Sequence, residues 1–253
     1  MIAAMLLSTV RDWYRCAQAI VSMLVNTRLE TGLILPYNNC WLLKKGYKLF
    51  LPKSRFKFQK EPYEYLFNVS SKDIVIDVGA CIGEFSIPAS IKAKKVIAIE
   101  PEPQNIVWLT RNIMLNKRKN IDVVKKALWS YPGILTLYRH PWSIGGTSLV
   151  LKYNGETIVV ETDTLDNLLL RFGIQKVDFL KIDVEGSEIE VLKGSVHTLE
   201  ITEKIVVETH IRDGRKTSYE VQQLLKSCGF RTKLRVMTPI NDLIYGLKKR
   251  FNY

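Results

Sequence analysis

From residue 73 onward, short apolar runs alternate with longer amphipathic stretches. Ile74–Val78, Val96–Ile99, Val123–Leu128, Phe179–Val184, Lys204–Thr209 and Phe230–Val236 read as strands, bounded by polar or glycine-bearing turns. The intervening Glu84–Ala93, Pro103–Asn116, Ser187–Leu192 and Thr217–Cys228 read as helices. Strand and helix in repeated alternation predict an α/β fold, a mostly parallel sheet with helices on both faces. One excursion interrupts the pattern. Ile134–Arg139 and Thr157–Glu161 alternate like antiparallel strands, and between them runs a long loop, His140–Asn154, rich in Gly, Ser and Trp. Loops of that length inside a compact domain are usually functional lids or disordered.

The first sixty residues follow a different rule. Leu6, Val10, Trp13, Ala17, Ile20 and Leu24 recur at steps of four and three, one helical stripe within Ile2–Val25. Arg11, Asp12 and Arg15 break that stretch, so it is expected neither to span a membrane nor to act as a signal peptide. The stripe is expected to pack on its own domain or on a second copy as a homo-oligomer. The alternative is peripheral membrane contact, with Trp13, Tyr14 and Arg15 at headgroup level. Trp41-Leu42-Leu43 and Tyr47–Leu51 flank Lys44-Lys45-Gly46 as a hairpin, and Glu61–Phe67 reads as a short helix. The expected division is an N-terminal helix and hairpin extension over 1–60 and the α/β domain over 61–253.

Charge and cysteines narrow the setting. The chain of 253 residues carries a formal net charge of +12, with Lys44 to Lys60 and Lys248-Lys249-Arg250 as its densest basic segments. Such patches attract nucleic acid, anionic lipid or acidic sugars, or are simply solvated faces. The four cysteines show no C-x-x-C spacing, which points away from a zinc site or disulfide framework and toward a reducing, cytoplasmic compartment.

Chemistry enters at Asp77-Val78-Gly79-Ala80-Cys81-Ile82-Gly83, the glycine loop after the first α/β strand, together with Glu100 at the end of the next. A strand, a glycine loop and a second-strand acid form a nucleotide-type cofactor site: glycine lets the backbone come close, and the acid accepts ribose hydroxyl protons. A pyrophosphate loop wants G-x-G-x-x-G, but here Cys81 takes the middle position and Glu84 the last. The acids disfavour a dinucleotide and suit S-adenosyl-L-methionine, whose sulfonium and ammonium are positive.

Two later strand ends carry more acids. Asp183, Glu185 and Glu188 crowd the end of the run that begins at Asp178, and Val206-Val207-Glu208-Thr209-His210 ends another strand in an acid and a histidine. That edge is where open α/β sheets bind ligands. Glu188 is accounted for as a cap on the following helix, whereas Asp183 and Glu185 point to function.

In sequence and order these motifs resemble the FkbM family of S-adenosylmethionine-dependent methyltransferases. The glycine loop is similar to the family's D-V-G-A-N-x-G, with Cys81 where asparagine is usual. Glu100-Pro101, Thr164-Leu165-Asp166, Asp178 through Gly186 and Val207-Glu208-Thr209-His210 are similar to four more of its motifs. The resemblance covers about residues 60 to 230. It implies a class I methyltransferase, Rossmann-like, three-layer fold with seven strands, the last antiparallel, and methyl transfer usually to oxygen. It also implies that Asp77, Gly79 and Gly83 hold the methionine end of the cofactor, Glu100 the ribose, and Ala127 and Leu128 the edge of the adenine. Cys81 lacks the asparagine's donor and acceptor.

The expected reaction is O-methylation of a sugar or other small-molecule, glycan or glycolipid hydroxyl. Asp183 or His210 would take the proton, and Glu185 and Glu208 would orient the acceptor or each other. No resident metal is expected, although Asp183 and nearby acids suit magnesium in a metal-assisted alternative. The rival readings are a nucleic-acid methyltransferase, prompted by charge, and a non-catalytic methyltransferase-fold scaffold.

Overall fold

The computed structural model describes residues 33–37, 40–44, 48–52, 63–141 and 143–248. The chain divides into two compact units, Met1–Lys60 and Glu61–Tyr253. In the first, β1 (Leu33–Tyr37), β2 (Cys40–Lys44) and β3 (Lys48–Pro52) form an antiparallel sheet. Strands β2 and β3 are the two arms of the expected hairpin, in register from Cys40 opposite Pro52 to Lys44 opposite Lys48. The helical stripe of Ile2–Val25, most of the basic run and Lys249-Arg250 lie outside the described residues.

The strands of the second unit are, in chain order, β4 (Ile74–Val78), β5 (Lys95–Ile99), β6 (Ile121–Val124), β7 (Ala127–Leu128), β8 (Gly133–Tyr138), β9 (Thr157–Asp163), β10 (Val177–Ile182), β11 (Thr202–Thr209), β12 (Ile211–Arg212), β13 (Arg215–Lys216), β14 (Phe230–Val236) and β15 (Asp242–Lys248). Its helices are α1 (Ser86–Lys92), α2 (Pro103–Leu115), α3 (Leu165–Arg171), α4 (Glu188–Lys193), α5 (Val196–Glu200) and α6 (Ser218–Ser227). Among the described residues a seven-stranded sheet runs β14-β15-β11-β10-β4-β5-β6. Only β15 is antiparallel to its neighbours.

Alternation along the central strands produces the three layers. Ile76, Val78, Ile97, Ile99, Leu180, Ile182 and Ile205 face one side and pack with Leu168, Leu192 and Val221 of α3, α4 and α6. Val75, Val96, Phe179 and Val206 face the other and pack with Phe85 and Ala89 at α1, while Ala98 meets Leu109 of α2. Both faces are covered, so the strands are near-continuously apolar.

Three local expectations change. The strand expected over Val123–Leu128 is broken at Lys125-Lys126: β6 stays in the main sheet, while β7 joins β9 and β8 in a separate three-stranded sheet. Tyr63–Phe67 form turns and bends rather than a helix. Edge-on contacts of Tyr63 with Phe85 and of Phe67 with Phe179, both at 5.6 Å, fix that segment against the sheet. Helices α3 and α5, not foreseen from periodicity, follow from their caps. Thr164 caps α3 through the Asn167 amide, and Asp166 accepts from the His197 and Thr198 amides at the start of α5. Among the described residues no helix is long and apolar enough to cross a membrane.

Candidate active site

Strand β4 ends in the glycine loop, and the loop rests directly on the end of β10. Gly79 has φ +76°, and a Cβ there would stand 1.8 Å from the Asp183 carbonyl oxygen. The Asp183 amide in turn donates to the Val78 carbonyl at 3.0 Å. Glycine is therefore required twice over, by conformation and by contact. Gly83, at φ +94°, is similarly close-packed, its absent Cβ 2.9 Å from Leu109. Cys81 also adopts a left-handed conformation, at φ 49°. Asparagine tolerates that region better than cysteine does, which gives the family's usual asparagine a backbone reason as well as a side-chain one.

Glu100, at the end of β5, closes the other side of the glycine loop. It is buried, with Oε2 accepting from the Cys81 amide at 2.8 Å and Oε1 from the Glu102 amide at 3.0 Å and the Asn105 amide group at 3.3 Å. Burial pushes its pKa up to about 7 despite these bonds, which favour the carboxylate. Asp77 is also buried: Ser86 donates to Oδ2 at 2.5 Å, and the Lys181 ammonium lies 3.0 Å from Oδ1. Its structural task is to pin the start of the loop. Ala127 packs with Leu137 and Val160, and Leu128 belongs to the main core.

The acid-rich edge is built from the ends of β10 and β11. Glu185 (φ 51°) and Gly186 (φ 96°) make a left-handed turn that brings Glu185 back toward His210. His210 Nε2 lies 3.5 Å from Glu185 Oε2, 3.8 Å from Asp183 Oδ1 and 3.9 Å from Glu208 Oε1. Its Nδ1 bonds Glu188 Oε1 at 2.8 Å, and Glu188, wholly buried, also accepts from the Gly186 amide and the Thr217 hydroxyl. The four residues singled out in the sequence thus meet in one place. Burial would lower the His210 pKa, but the Glu188 hydrogen bond and the surrounding carboxylates outweigh it and raise it to about 10. Burial raises Glu185 to about 8, with the His210 charge opposing, and burial beside Asp183 raises Glu208 as well. Asp183, Glu185 and His210 offer one donor atom each within 4.8 Å of one another, a set able to hold a metal ion.

Two side chains that sequence reasoning passed over tie these halves together. Tyr63 donates its hydroxyl toward Asp183 Oδ2 (3.0 Å) and Glu208 Oε2 (2.8 Å). Lys181, buried in the middle of the sheet, donates to the Gly79 carbonyl at 2.7 Å between Asp77 and Asp183. Burial opposes its charge, but Asp77 and Asp183 hold its pKa above the ordinary lysine value. A lysine inside an apolar strand was a visible signal. Tyr63 carried none, because only the tertiary fold brings it to the edge.

The 140–156 segment crosses between the two halves. Asn105 donates to the Ile144 carbonyl at 3.0 Å beside Glu100, and the Ser148 hydroxyl donates to the Glu185 carbonyl at 2.6 Å on the acidic side. Arg139 anchors its start by bonding Glu102 (2.6 Å) and Glu156 (2.5 Å).

Comparison with known proteins agrees with this architecture. Residues 77–232 match the Methyltransferase FkbM domain. The chain is 30% identical to Methyltransferase sdnD of Sordaria araneosa, over 64% of this chain and 75% of that protein. It is also 30% identical to the hexuronic acid methyltransferase AglP of Haloferax volcanii, over 70% of this chain and 71% of that protein. The crystal structure of methyltransferase FkbM from Methylobacillus flagellatus shares the fold, with a TM-score of 0.52 and 21% identity over 74% of this chain. The chain spans 48% of that larger protein.

Proposed function

The chain belongs to the FkbM family of methyltransferases, whose fold and chemistry imply S-adenosylmethionine as methyl donor, and from that premise we propose O-methylation of a sugar hydroxyl at the acidic edge. The observation that carries this reading is the direct contact of the glycine loop with Asp183: donor loop and acid turn touch through main chain. A methyl donor bound by the glycine loop and an acceptor held among Asp183, Glu185 and His210 would then be neighbours.

In this reading Asp77, Gly79, Cys81 and Gly83 shape the loop around the methionine end, Glu100 accepts from the ribose, and Ala127 and Leu128 border the adenine. The acceptor oxygen forms its new bond to the methyl carbon as the sulfonium–carbon bond breaks, leaving a neutral thioether. The hydroxyl proton goes to Asp183. Between the two candidate bases, geometry favours Asp183. His210 has Nδ1 tied to Glu188 and Nε2 turned to three carboxylates, so it is placed to hold a proton rather than to take one. Glu208, bonded by both Tyr63 and Asn241, keeps the Tyr63 hydroxyl in place. Residues 61–253 form the catalytic domain, and residues 1–60 are an extension outside it.

A sugar acceptor is supported by the resemblance to a relative named for hexuronic acid and by the hydrogen-bond acceptors of the acidic edge, which suit a polyol. The test is transfer of labelled methyl to a panel of neutral and uronic-acid oligosaccharides, with transfer RNA as competitor. Label in a base-stable sugar ether supports the reading. Label confined to RNA overturns it.

A further inference from the structure

We propose that Asp183 Oδ1, Glu185 Oε2 and His210 Nε2 form the protein face of a divalent-cation site at the C-terminal ends of β10 and β11. One donor atom of each lies within 4.8 Å of the other two. Ligands about 2.2 Å from a shared ion stand at most about 4.4 Å apart, so small rotations of these side chains suffice to enclose one.

Observations outside the three ligands point the same way. The second ring nitrogen of His210 is held by Glu188, a wholly buried carboxylate that is not among the ligands. Metal-bound histidines are oriented in this manner, which turns the other nitrogen toward the ion. Asp183 is similarly oriented: its Oδ2 lies 3.0 Å from the Tyr63 hydroxyl, leaving Oδ1 toward His210. The Glu185 side chain is only 25% exposed, yet its carboxylate accepts no hydrogen bond among the described residues. Charge completes the case. The carboxyl groups of Asp183, Glu185, Glu188 and Glu208 all surround the His210 ring, while the nearest ammonium, Lys181, is drawn away toward Asp77 and the loop carbonyls.

One imidazole nitrogen with two carboxylate oxygens suits manganese or magnesium better than a thiophilic metal. The imidazole gives up its Nε2 proton as the ion enters. Three protein donors leave the outer half of an octahedral shell for water or acceptor oxygens. An acceptor hydroxyl there would be more acidic. Asp183 would bind the ion through Oδ1 and take the hydroxyl proton at Oδ2, with the single Tyr63 proton turned to Glu208. That last consequence rests on the proposed function; ion binding itself does not.

The experiment is titration of the full chain with Mn2+ alone, without S-adenosylmethionine, followed by electron paramagnetic resonance. One saturable ion per chain is expected, with a pulsed-resonance coupling to a nitrogen nucleus. Glu185→Gln and Asp183→Asn should weaken binding by about tenfold or more, while Glu161→Gln, at an exposed side chain of β9, leaves it unchanged. His210→Gln should abolish the nitrogen coupling; where that variant does not fold, the wild-type coupling decides. Absence of saturable binding, affinity unmoved by Glu185→Gln, or bound manganese without nitrogen coupling overturns the site. Methyl transfer plays no part in these readings, so a failed acceptor assay and a failed ion site are distinguishable.

Discussion

With Glu100 as the proposed ribose acceptor, cofactor binding should depend on pH, and the size of the effect follows from the burial of that carboxylate. The residue is 5% exposed, and its pKa stands at about 7 against 4.5 for an ordinary glutamate. Burial is the main cause, with the neighbouring Glu102 charge adding to it. The amides of Cys81 and Glu102 and the side chain of Asn105 pull the other way. That rise corresponds to a cost on the order of 3 kcal/mol to the ionised form in the folded protein. Because the folded state binds the proton more tightly, this contribution reduces stability as pH rises from about 4.5 to 7 and is constant above. Cofactor binding has the opposite dependence. Ribose hydroxyls donate to a carboxylate, so the proton must leave before both can be accepted. Relative to the plateau above pH 8, affinity for S-adenosylmethionine is expected to fall about tenfold at pH 6 and about thirtyfold at pH 5.5. Glu100→Gln should bind more weakly at pH 8 and show no such slope. Isothermal titration from pH 5.5 to 8.5 at constant ionic strength measures both. A flat wild-type profile, or the same slope in Glu100→Gln, refutes the assignment of the ribose to Glu100.

Other perturbations address the framework. Gly79→Ala places a Cβ against the Asp183 carbonyl at 1.8 Å and forces a left-handed alanine, so urea unfolding should show a loss of about 2–5 kcal/mol and cofactor binding should suffer with it. Lys181→Met strands the buried Asp77 without its cation and should cost about 3–5 kcal/mol, with partial recovery when Asp77→Asn is added. Tyr63→Phe removes the hydroxyl that bridges Asp183 and Glu208. It should lower kcat about tenfold while leaving S-adenosylmethionine affinity within about twofold, with a stability loss of about 1–2 kcal/mol by urea unfolding.

Where the sequence was legible, one physical constraint acted locally. Buried parallel strands need apolar runs, so β4, β5, β10 and β11 could be read directly. The loop geometry at Gly79 and Gly83 was equally visible, since few residues other than glycine tolerate it. The convergence of Asp183, Glu185, Glu208 and His210 followed from placing strand ends on one edge of the sheet. Legibility failed where long-range contacts decide. Strand β15 escaped because Gly246 interrupts its pattern, although that glycine allows close packing on Ile205, 2.7 Å from where a Cβ would stand. The break between β6 and β7 depends on pairing with β9, far along the chain. Glu188 looked like a helix cap, but α4 has no side-chain cap: the carboxylate accepts from the Gly186 amide ahead of the helix and holds His210, a task set by the position of β11. The T-L-D motif proved structural in its details, with Thr164 and Asp166 capping two helices.

Asp183 is the point where the glycine loop meets the acidic edge. Asp183→Asn preserves the shape of the side chain and the main-chain contacts with Gly79 and Val78, so S-adenosylmethionine should bind with affinity within a few-fold of wild type. Methyl transfer to the proposed sugar acceptor, measured in single turnover with labelled cofactor, should fall by about a hundredfold or more. Wild-type transfer rates in Asp183→Asn would contradict the account.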